Sequence, residues 1–394
     1  MDFSDPREEF RQEVRAWLAR ELTEELRREF EREITYLRVP MEWSPAVLEF
    51  NRRLGAKGWI GLHWPKKYGG GGGSLRDQLV VVEELASCYA KTINSQALHA
   101  VSILLVHGTE EQKMEVIPRV ARGEIEVALG YTEPNAGSDV ANIQMRAVEK
   151  DDHYVISGQK IFNTMAHWAA YHWLLARTDP AAVPKHRGLT MFLVDLKTPG
   201  ITVRPIVTID DSRTNIVYYD EVKVPKNRVV GENNRGFYVA MDALGLERLF
   251  VYNPYSYRAL FDEIVAYVKT TSRDGRSLAG DRVVRHTLAE LDVKLAVAKL
   301  LYERVIWMLE NRQPVAAQAA MFKTFMSELG QELVRRALEV IGLPGLLRSE
   351  SKRAVLRGLV AMGQQATIFH TFAAGGNELM RNVIAMRGYG LPGE

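Results

Sequence analysis

The sequence has few of the residues that mark disulfide-bonded, metal-binding or membrane proteins. Cys88 is the only cysteine among 394 residues, which excludes an internal disulfide and a site of several thiolates, and fits a reducing compartment. No run of about eighteen apolar residues occurs, and the N-terminus lacks the basic and apolar regions of a signal peptide. The formal net charge of +2 offers no large basic field to a nucleic acid. We therefore expect a soluble, cytoplasmic protein with no metal, nucleic-acid partner or membrane insertion.

The glycine motifs of the common nucleotide-binding folds are also missing. Residues 69–73 are consecutive glycines, but the run lacks the Gly-Lys-Ser/Thr ending of a P-loop. We interpret it as a structural loop, because such a run cannot lie inside a helix. A Gly-x-Gly-x-x-Gly match at 388–393 follows a helical segment close to the end of the chain. No βαβ unit can form there, so no Rossmann dinucleotide site is predicted.

The apolar pattern divides the chain into three regions. Phe10, Val14 and Trp17 recur at helical spacing near the start, and helical periods return after residue 236. Between them lie short β-rich runs separated by turn residues, with no helical pattern. We predict an α+β multidomain chain: an α-helical domain at 1–126, an antiparallel β barrel or sandwich at 127–233 and a helix bundle at 234–394. The clearest strands are predicted at 146–150, 153–157, 173–176, 189–195, 201–207 and 216–224.

One C-terminal helix has a long apolar stripe with alternating spacings of three and four. It consists of Leu288, Leu291, Leu295, Ala298, Tyr302, Val305 and Leu309. This spacing predicts one face of a helix in a bundle. Such stripes also suit packing between subunits, so we expect no stable monomer.

Residues 128–139 are the strongest candidate for a ligand-binding loop. The run Ala-Leu-Gly-Tyr-Thr-Glu-Pro-Asn-Ala-Gly-Ser-Asp concentrates small residues and hydroxyls. Gly137 permits a close approach of the backbone, and Thr132 and Ser138 offer hydroxyls and amides for a flat heteroaromatic ring or a pyrophosphate. On composition alone, an ordinary Pro/Asn/Gly turn is the default interpretation of the run.

The segment 131–139 closely resembles the Thr-Glu-Pro-x-Ala-Gly-Ser-Asp signature of the acyl-CoA dehydrogenases. Further motifs similar to that family are Trp64-Pro-x-x-Tyr68-Gly-Gly, Val224-Pro-x-Asn227-x-Val229-x-Gly231-Glu232-x-x-x-Gly236-Phe237 and Gly375-Gly-Asn-Glu-Leu-x-Arg381-Asn382. The resemblance covers nearly the whole chain. It implies an N-terminal helical domain, a middle β domain and a C-terminal four-helix bundle. It also implies an FAD enzyme of fatty-acid or steroid breakdown that forms a trans-2-enoyl-CoA and passes electrons to an electron-transfer flavoprotein.

The resemblance further assigns the residues that contact the flavin. The family's equivalents of Tyr131, Thr132 and Ser138 line the cofactor, and Ser138 also lies on the substrate side. An aromatic residue and a threonine one strand later complete this set, and here they look like Phe162 and Thr164. Phe162 alone would be a core aromatic, but its pairing with Thr164 and the family match favour flavin contact.

The usual catalytic base is missing from its common place. Many family members have a glutamate immediately before a Gly-Thr pair, where this chain has Ala374. Isovaleryl-CoA and long-chain acyl-CoA dehydrogenases instead have a glutamate directly before an arginine after the β domain, which matches Glu247 and Arg248. By itself a Glu-Arg pair on a helix is usually a solvated face. The resemblance implies that Glu247 is the base and Arg248 a substrate-side or structural cation.

Two other C-terminal groups enter the predicted chemistry. A backbone amide survives a side-chain change, so the amide of Ala374 could still polarise the thioester carbonyl as part of an oxyanion site. Glu378 is a second candidate base. Because it begins a helix, where a carboxylate is favoured by the positive helix end, we interpret Glu378 as structural.

The chain departs from the family where the adenosine end of FAD is usually held. An Arg-x-x-Phe-Gly motif is replaced by Thr271-Ser-Arg-Asp274-Gly275, and a Gln-x-x-Gly-Gly motif by Glu339-Val-Ile-Gly342-Leu343. Either Arg273 or Arg276 substitutes, or a different subunit completes the site, as in bacterial α2β2 members. Alternative hypotheses are a non-catalytic or half-site subunit of a mixed complex, and an oxygen-reacting acyl-CoA oxidase or nitroalkane oxidase. Homo-oligomer and heterotetramer both remain open, as does the acyl chain.

Overall fold

The computed structural model describes residues 7–32, 42–90, 95–242 and 252–393. Before the sheet, the helices are α1 (Glu8–Glu21), α2 (Glu24–Arg32), α3 (Pro45–Ala56), α4 (Leu75–Ser87), α5 (Ser95–His107) and α6 (Glu110–Ala121). The predicted first helix is confirmed, and α1 buries Val14, Trp17 and Leu18. The start of α6 is fixed by a capping box, in which Thr109 and Gln112 each bond the other's backbone N–H.

An eight-stranded sheet forms the middle of the chain. Its strands are β1 (Val127–Gly130), β2 (Arg146–Glu149), β3 (His153–Lys160), β4 (Tyr171–Arg177), β5 (Leu189–Asp195), β6 (Ile201–Val207), β7 (Arg213–Pro225) and β8 (Val229–Val230). The spatial order is β6-β7-β3-β2-β4-β5-β8, and β1 also pairs with β4. All six predicted strands are confirmed. We did not predict the short β1 and β8, because so few residues cannot show an alternating period.

Most neighbouring strands are antiparallel, as predicted. The exceptions involve β4, which pairs in parallel with β1 and with β2. Along the described part of the sheet, pairing runs as a path from β6 to β8. The core of the sheet contains Ala128, Ile156, Leu174, Phe192 and Val217. Buried alternate residues therefore hold the strand ends, and the loops that leave them, in fixed positions.

After residue 252 the chain is again mainly helical. The elements are α7 (Pro254–Thr270), the hairpin β9 (Ser272–Arg273) and β10 (Arg276–Ser277), α8 (Arg282–Glu310), α9 (Ala316–Ile341), α10 (Leu359–Ala366) and α11 (Asn377–Val383). The cores of α7 to α10 pack together through residues such as Ile264, Leu295, Phe322 and Leu359. This packing agrees with the predicted bundle. No described helix is long and apolar enough to cross a membrane.

The stripe predicted on α8 belongs to the interior of this chain. Leu291, Leu295 and Tyr302 are buried in the same core cluster as α7 and α9. Our suggestion that the stripe packs between subunits is therefore wrong, because its partners are helices of its own chain. A different stripe faces outward, made of the exposed residues Val293, Val297, Leu300 and Trp307. Their spacings of four, three and seven place them on one side of the helix.

The described elements form two compact units. One contains α1, α2, α4 and the elements from α7 onward. The other contains α3, α5, α6 and strands β1 to β8. Helices of the first 126 residues thus contribute to both units, and the boundaries at 126 and 233 remain a prediction.

The glycine run at 69–73 is a structural loop. A Cβ at Gly70 would lie 2.3 Å from the carbonyl oxygen of Trp64. The amides of Gly71 and Gly73 donate to the carbonyls of Gly61 and Leu62. These amides are therefore engaged within the chain rather than available to a phosphate, as the missing P-loop ending indicated.

Candidate functional site

Two loops that sequence reasoning singled out lie side by side. The loop at 131–139 follows β1, and the loop at 161–168 follows β3. The amide of Ile161 donates to the carbonyl of Thr132 at 2.9 Å, which joins them directly. The structure therefore brings the segment with Tyr131 and Thr132 next to the segment with Phe162 and Thr164.

A buried ion pair fixes the two loops. Lys160, at the end of β3, is 0% exposed, and its Nζ donates to Glu133 Oε1 and to the carbonyl of Tyr131, both at 2.9 Å. Burial lowers the pKa of Lys160 to about 8, and the Glu133 carboxylate opposes that shift. Glu133 also accepts from the amides of Gln144 at 2.6 Å and Met145 at 2.9 Å. Sequence reasoning missed this structural role, although Glu133 lies in the Thr-Glu-Pro motif.

Phe162 lies at the surface in a backbone conformation that phenylalanine rarely adopts. Phe162 has a φ of 60°, and the residue is 61% exposed. The left-handed region costs a non-glycine residue about 1–2 kcal/mol, and exposure of a large ring forgoes hydrophobic stabilisation. Such an arrangement is typical of a functional site, where surrounding bonds impose the strain. The default interpretation of Phe162 as a core aromatic is wrong.

Hydroxyl-bearing residues lie in the same two loops as this exposed ring. Thr164 is half-buried, and its Oγ1 lies 3.1 Å from the Oγ1 of Thr214. Thr132 is half-buried, Tyr131 is mostly buried, and Ser138 is exposed. These two joined loops therefore offer a planar ring, hydroxyls and backbone amides.

Gly137 is not required by the fold of its own loop. Its backbone does not have a positive φ, and no atom of the chain lies within 4 Å of the place where a Cβ would be. A larger residue would therefore fit the described protein. Open backbone next to Ser138 suits the approach of a ligand, and together with the exposed Phe162 it fits the flat ring and phosphates of the flavin that the resemblance implies.

The loop that contains Ala374 is strained as well. Ala374 has a φ of 53° and Gly375 one of 95°, directly before α11. The Tyr252 hydroxyl lies 2.9 Å from the carbonyl oxygen of His370 and 3.1 Å from that of Ala373, and donates to this pair. The Tyr257 hydroxyl bonds the His370 Nδ1 at 2.8 Å. The buried Tyr252 thus holds the backbone on which the predicted oxyanion amide lies, and the half-buried Tyr257 holds the His370 side chain.

A second buried lysine lies beneath this loop. Lys323 on α9 is 0% exposed, and its Nζ donates to Asn377 Oδ1 at 2.7 Å and to the carbonyl of Thr371 at 3.3 Å. The amide group of Asn377 in turn donates to Glu328 Oε1 at 3.1 Å. Sequence reasoning did not find this network, because Lys323 and Asn377 are 54 residues apart.

The remaining predicted residues differ in what the structure offers. Glu247 and Arg248 lie outside the described residues. Glu378 is exposed in the first turn of α11, as expected for a structural carboxylate at a helix start. Arg273 donates to the carbonyl of Val340 near the end of α9, whereas Arg276 lies exposed in the β9–β10 hairpin. Of the two arginines, Arg276 is therefore the better candidate for an adenosine contact.

One buried carboxylate lies directly before β1. Glu126 is 0% exposed, and its Oε1 accepts from the amides of Ala97 at 2.5 Å and Val127 at 2.8 Å. Burial raises its pKa to about 8, so the side chain is largely protonated at neutral pH. Within the described residues, no group of three or more His, Cys, Asp or Glu side chains could hold a metal ion.

Family models match the chain in three successive segments. They are the acyl-CoA dehydrogenase N-terminal domain at 4–124, the middle domain at 128–222 and the C-terminal domain at 234–389. The chain is also 34% identical to the acyl-CoA dehydrogenase FadE26 of Mycobacterium tuberculosis over 406 residues, which cover 100% of this chain and 98% of that protein.

Solved structures show the same similarity. A chain of the ChsE4-ChsE5 complex from Mycobacterium tuberculosis is similar with a TM-score of 0.88, 34% identity and 100% coverage of both chains. A chain of the Tcur3481-Tcur3483 steroid ACAD is similar with a TM-score of 0.88, 33% identity and 100% coverage of both chains. Both structures are complexes of two differently named proteins.

Proposed function

Because the chain belongs to the acyl-CoA dehydrogenase family, an FAD-containing family of oxidoreductases, we propose that it desaturates an acyl-CoA thioester to the trans-2-enoyl-CoA. The observation that carries this proposal is the pair of joined loops, one with an exposed, strained Phe162 and the other with the open backbone of Gly137. Neither feature stabilises the isolated chain. Both suit a bound flavin.

We assign the flavin contacts to residues of these loops. Phe162 offers a ring face, and Thr132 and Thr164 offer hydroxyls and amides to the polar edge of the isoalloxazine. Tyr131 belongs to the same set of proposed contacts, and Ser138 offers its hydroxyl and amide to the pyrophosphate and to the substrate side. When bound, FAD supplies the acceptor for the hydride that leaves the β carbon.

The proton chemistry is assigned to the C-terminal part of the chain. Glu247 takes the α-proton, and Arg248 beside it orients the carboxylate or the substrate. The backbone amide of Ala374 donates to the thioester carbonyl, which acidifies the α-proton. Tyr252 supports this assignment, because its bonds to the carbonyls of His370 and Ala373 restrict the loop that holds the amide.

We further propose that the chain works as one subunit of a mixed assembly. Asp274 and Glu339 bring carboxylates to positions where the family has an aromatic residue and a glutamine, and Arg273 is engaged by Val340. A sister chain would then complete the adenosine end of the cofactor site. The similarity to ChsE4-ChsE5 and to the steroid ACAD supports this proposal and favours a bulky, steroid-like acyl group. The proposed electron acceptor is an electron-transfer flavoprotein.

The cofactor assignment is tested by Gly137→Ala, with Gly280→Ala as the matched control. A Cβ at either glycine meets no atom within 4 Å, and neither glycine has a positive φ. Both variants should therefore unfold at the wild-type temperature. We expect only Gly137→Ala to weaken FAD binding, by about tenfold or more, in the chain co-expressed with its sister subunit. Equal FAD affinity in the two variants would contradict the assignment.

The base is tested by Glu247→Gln. The variant should bind FAD and acyl-CoA but lose turnover by ~10²-fold or more, the usual contribution of a positioned base. Adding Ala374→Glu should restore part of the activity. Near-normal anaerobic flavin bleaching in Glu247→Gln would point to another base.

A panel of acyl-CoAs then identifies the substrate class, and hydrogen peroxide production distinguishes an oxidase from a dehydrogenase.

A further inference from the structure

We propose that Asn215 is a positioning residue, which holds Phe162 and Thr164 in the orientation that the cofactor requires. The inference rests on the proposed function, since it concerns the same site. Asn215 lies on β7, is 0% exposed and is outside every motif that sequence reasoning singled out.

The strained conformation of Phe162 follows from the pairing of its strand with β7. The regular register ends at Lys160 opposite Val217. The next bonded pair is Asn163 with Asn215, through the amide of Asn163 and the carbonyl of Asn215 at 2.9 Å. The chain therefore advances three residues from Lys160 to Asn163, while β7 covers only two residues between Val217 and Asn215. The additional residue makes a bulge, and Phe162 absorbs it with its φ of 60°.

The side chain of Asn215 closes this bulge from the other side. Its Nδ2 donates to the carbonyl of Asn163 at 2.8 Å, so the two residues bond each other reciprocally. The side chain of Asn163 donates to the carbonyl of Leu129 at 2.8 Å, which ties the bulge to β1. The loop that leaves β1 and the loop that leaves β3 thereby share one anchor.

Two further groups fix the orientation of the Asn215 amide. Arg213 Nε donates to Asn215 Oδ1 at 3.0 Å, and the Asn215 Nδ2 lies 3.4 Å from His167 Nδ1. Burial lowers the pKa of His167 to about 4, so its neutral ring can accept from Nδ2 at neutral pH. An amide is the group that satisfies both neighbours, since it offers an acceptor to Arg213 and donors to His167 and Asn163.

Thr164 depends on the same bulge. Its amide donates to the carbonyl of Phe162 at 3.0 Å. A relaxation of Phe162 toward an ordinary φ would therefore move the aromatic ring and the threonine together. Loss of the Asn215 side chain should consequently alter the environment of bound flavin in addition to lowering stability.

The experiment compares Asn215→Ala with Asn51→Ala in the co-expressed, FAD-containing protein. Asn51 is also 0% exposed in the same unit, and its Nδ2 donates to a backbone carbonyl, that of Gly123, at 3.2 Å. Both variants should lower the unfolding temperature. Only Asn215→Ala should weaken FAD binding, by about tenfold or more, and change the visible circular dichroism of the flavin. Equal affinities and unchanged spectra in both variants would overturn the proposal.

A double-mutant cycle with Phe162→Gly tests whether Asn215 acts through Phe162. Glycine adopts a positive φ without strain, so the bulge no longer needs to be enforced. We expect Asn215→Ala to add little loss of FAD affinity in the Phe162→Gly background. Fully additive losses would show that Asn215 acts elsewhere. If Asn215→Ala does not fold, Asn215→Asp, which keeps the acceptor for Arg213 and removes the donor, takes its place in the cycle.

Hydrogen exchange in the flavin-free protein separates this inference from the proposed function. Asn215→Ala should speed exchange of the amides of Asn163 and Thr164, while Asn51→Ala leaves them unchanged. Unchanged exchange in Asn215→Ala would refute the positioning role even where the wild type binds FAD. A wild-type assembly that binds no FAD, with exchange altered as expected, would instead overturn the proposed function and the cofactor part of this inference.

Discussion

The joined loops at 131–139 and 161–168 resemble the loop at 370–377 in backbone strain and in their contact with a buried lysine. The partners of the two lysines differ. Each region contains a non-glycine residue with a positive φ, Phe162 in one and Ala374 in the other. Each also lies against a lysine that is 0% exposed. Lys160 is held by a buried carboxylate, that of Glu133, whereas Lys323 donates to the side-chain oxygen of Asn377 and a backbone carbonyl.

The two strained loops therefore lie on different supports, a buried ion pair in one case and hydrogen bonds to neutral oxygens in the other. Breaking a buried ion pair strongly lowers stability, because removal of one member leaves the other charged and desolvated. Removal of a lysine that donates to neutral oxygens leaves those oxygens behind without a charge, at a smaller cost. The two loops should therefore differ in their sensitivity to equivalent substitutions.

The largest effect is expected for Lys160→Met, which leaves the Glu133 carboxylate buried without its cation. We expect the free energy of unfolding of the sheet-containing unit to fall by roughly 3–5 kcal/mol. Urea denaturation measures it. The double variant Lys160→Met/Glu133→Gln removes both charges and should recover part of the loss. A double variant less stable than the single one would show that charge pairing is not the cause.

Lys323→Met should cost less, roughly 1–3 kcal/mol, because the acceptors that it leaves are neutral: the carbonyl of Thr371 and the side-chain oxygen of Asn377, which still accepts from the Ser327 hydroxyl at 3.1 Å. Lys294→Met is the control, since Lys294 bonds Glu332 in a partly exposed pair and should change stability by at most about 0.5 kcal/mol. Equal losses for Lys160→Met and Lys323→Met would remove the distinction between the two loops.

Glu126→Gln tests the buried carboxylate that precedes β1. Burial raises the folded-state pKa of Glu126 from 4.5 to about 8. Its contribution to stability is therefore fully present below about pH 4.5 and is lost as pH rises toward 8. Glutamine keeps an acceptor for Ala97 and Val127 without the charge. We expect the variant to gain roughly 1–3 kcal/mol at pH 8, since one pKa unit is worth about 1.4 kcal/mol, and little at pH 4.5. Thermal unfolding at both pH values measures this, and a gain independent of pH would contradict it.

The smallest effect on stability is expected for Glu378→Gln in the first turn of α11. Glu378 is exposed and only favours the positive end of its helix, so the change should be within about 0.5 kcal/mol, with turnover retained. Turnover with a good acyl-CoA and the unfolding temperature are measured together. A ~10²-fold loss of turnover at normal stability would make Glu378 the base in place of Glu247.

Local patterns were sufficient for much of the fold and for part of the site. The alternating runs predicted strands such as β5 and β6, and the three-four spacing predicted the inner face of α8. The segment at 131–139 was recognised from its motif. These features depend on residues that are close together in sequence, so that a short window contains the necessary information.

The supporting contacts could not be predicted because they join distant residues. Lys160 and Glu133 are 27 residues apart, and Asn215 and Asn163 are 52 apart. Phe162 is exposed because of a bulge, and neither aromatic character nor periodicity indicates one. The same limitation applies to α8, whose two apolar faces have nearly the same spacing. Only the packed neighbours decide which of them is interior.

The outer face of α8 has a consequence for how the chain must be produced. Val293, Val297, Leu300 and Trp307 present an apolar strip to water, although they contribute little to the interior of the fold. Such a strip favours association with other apolar surfaces, because association removes it from water. We expect chaperones to engage a newly made chain there until a partner covers the strip. Yield in a heterologous host would then depend on simultaneous synthesis of that partner more than on thermal stability.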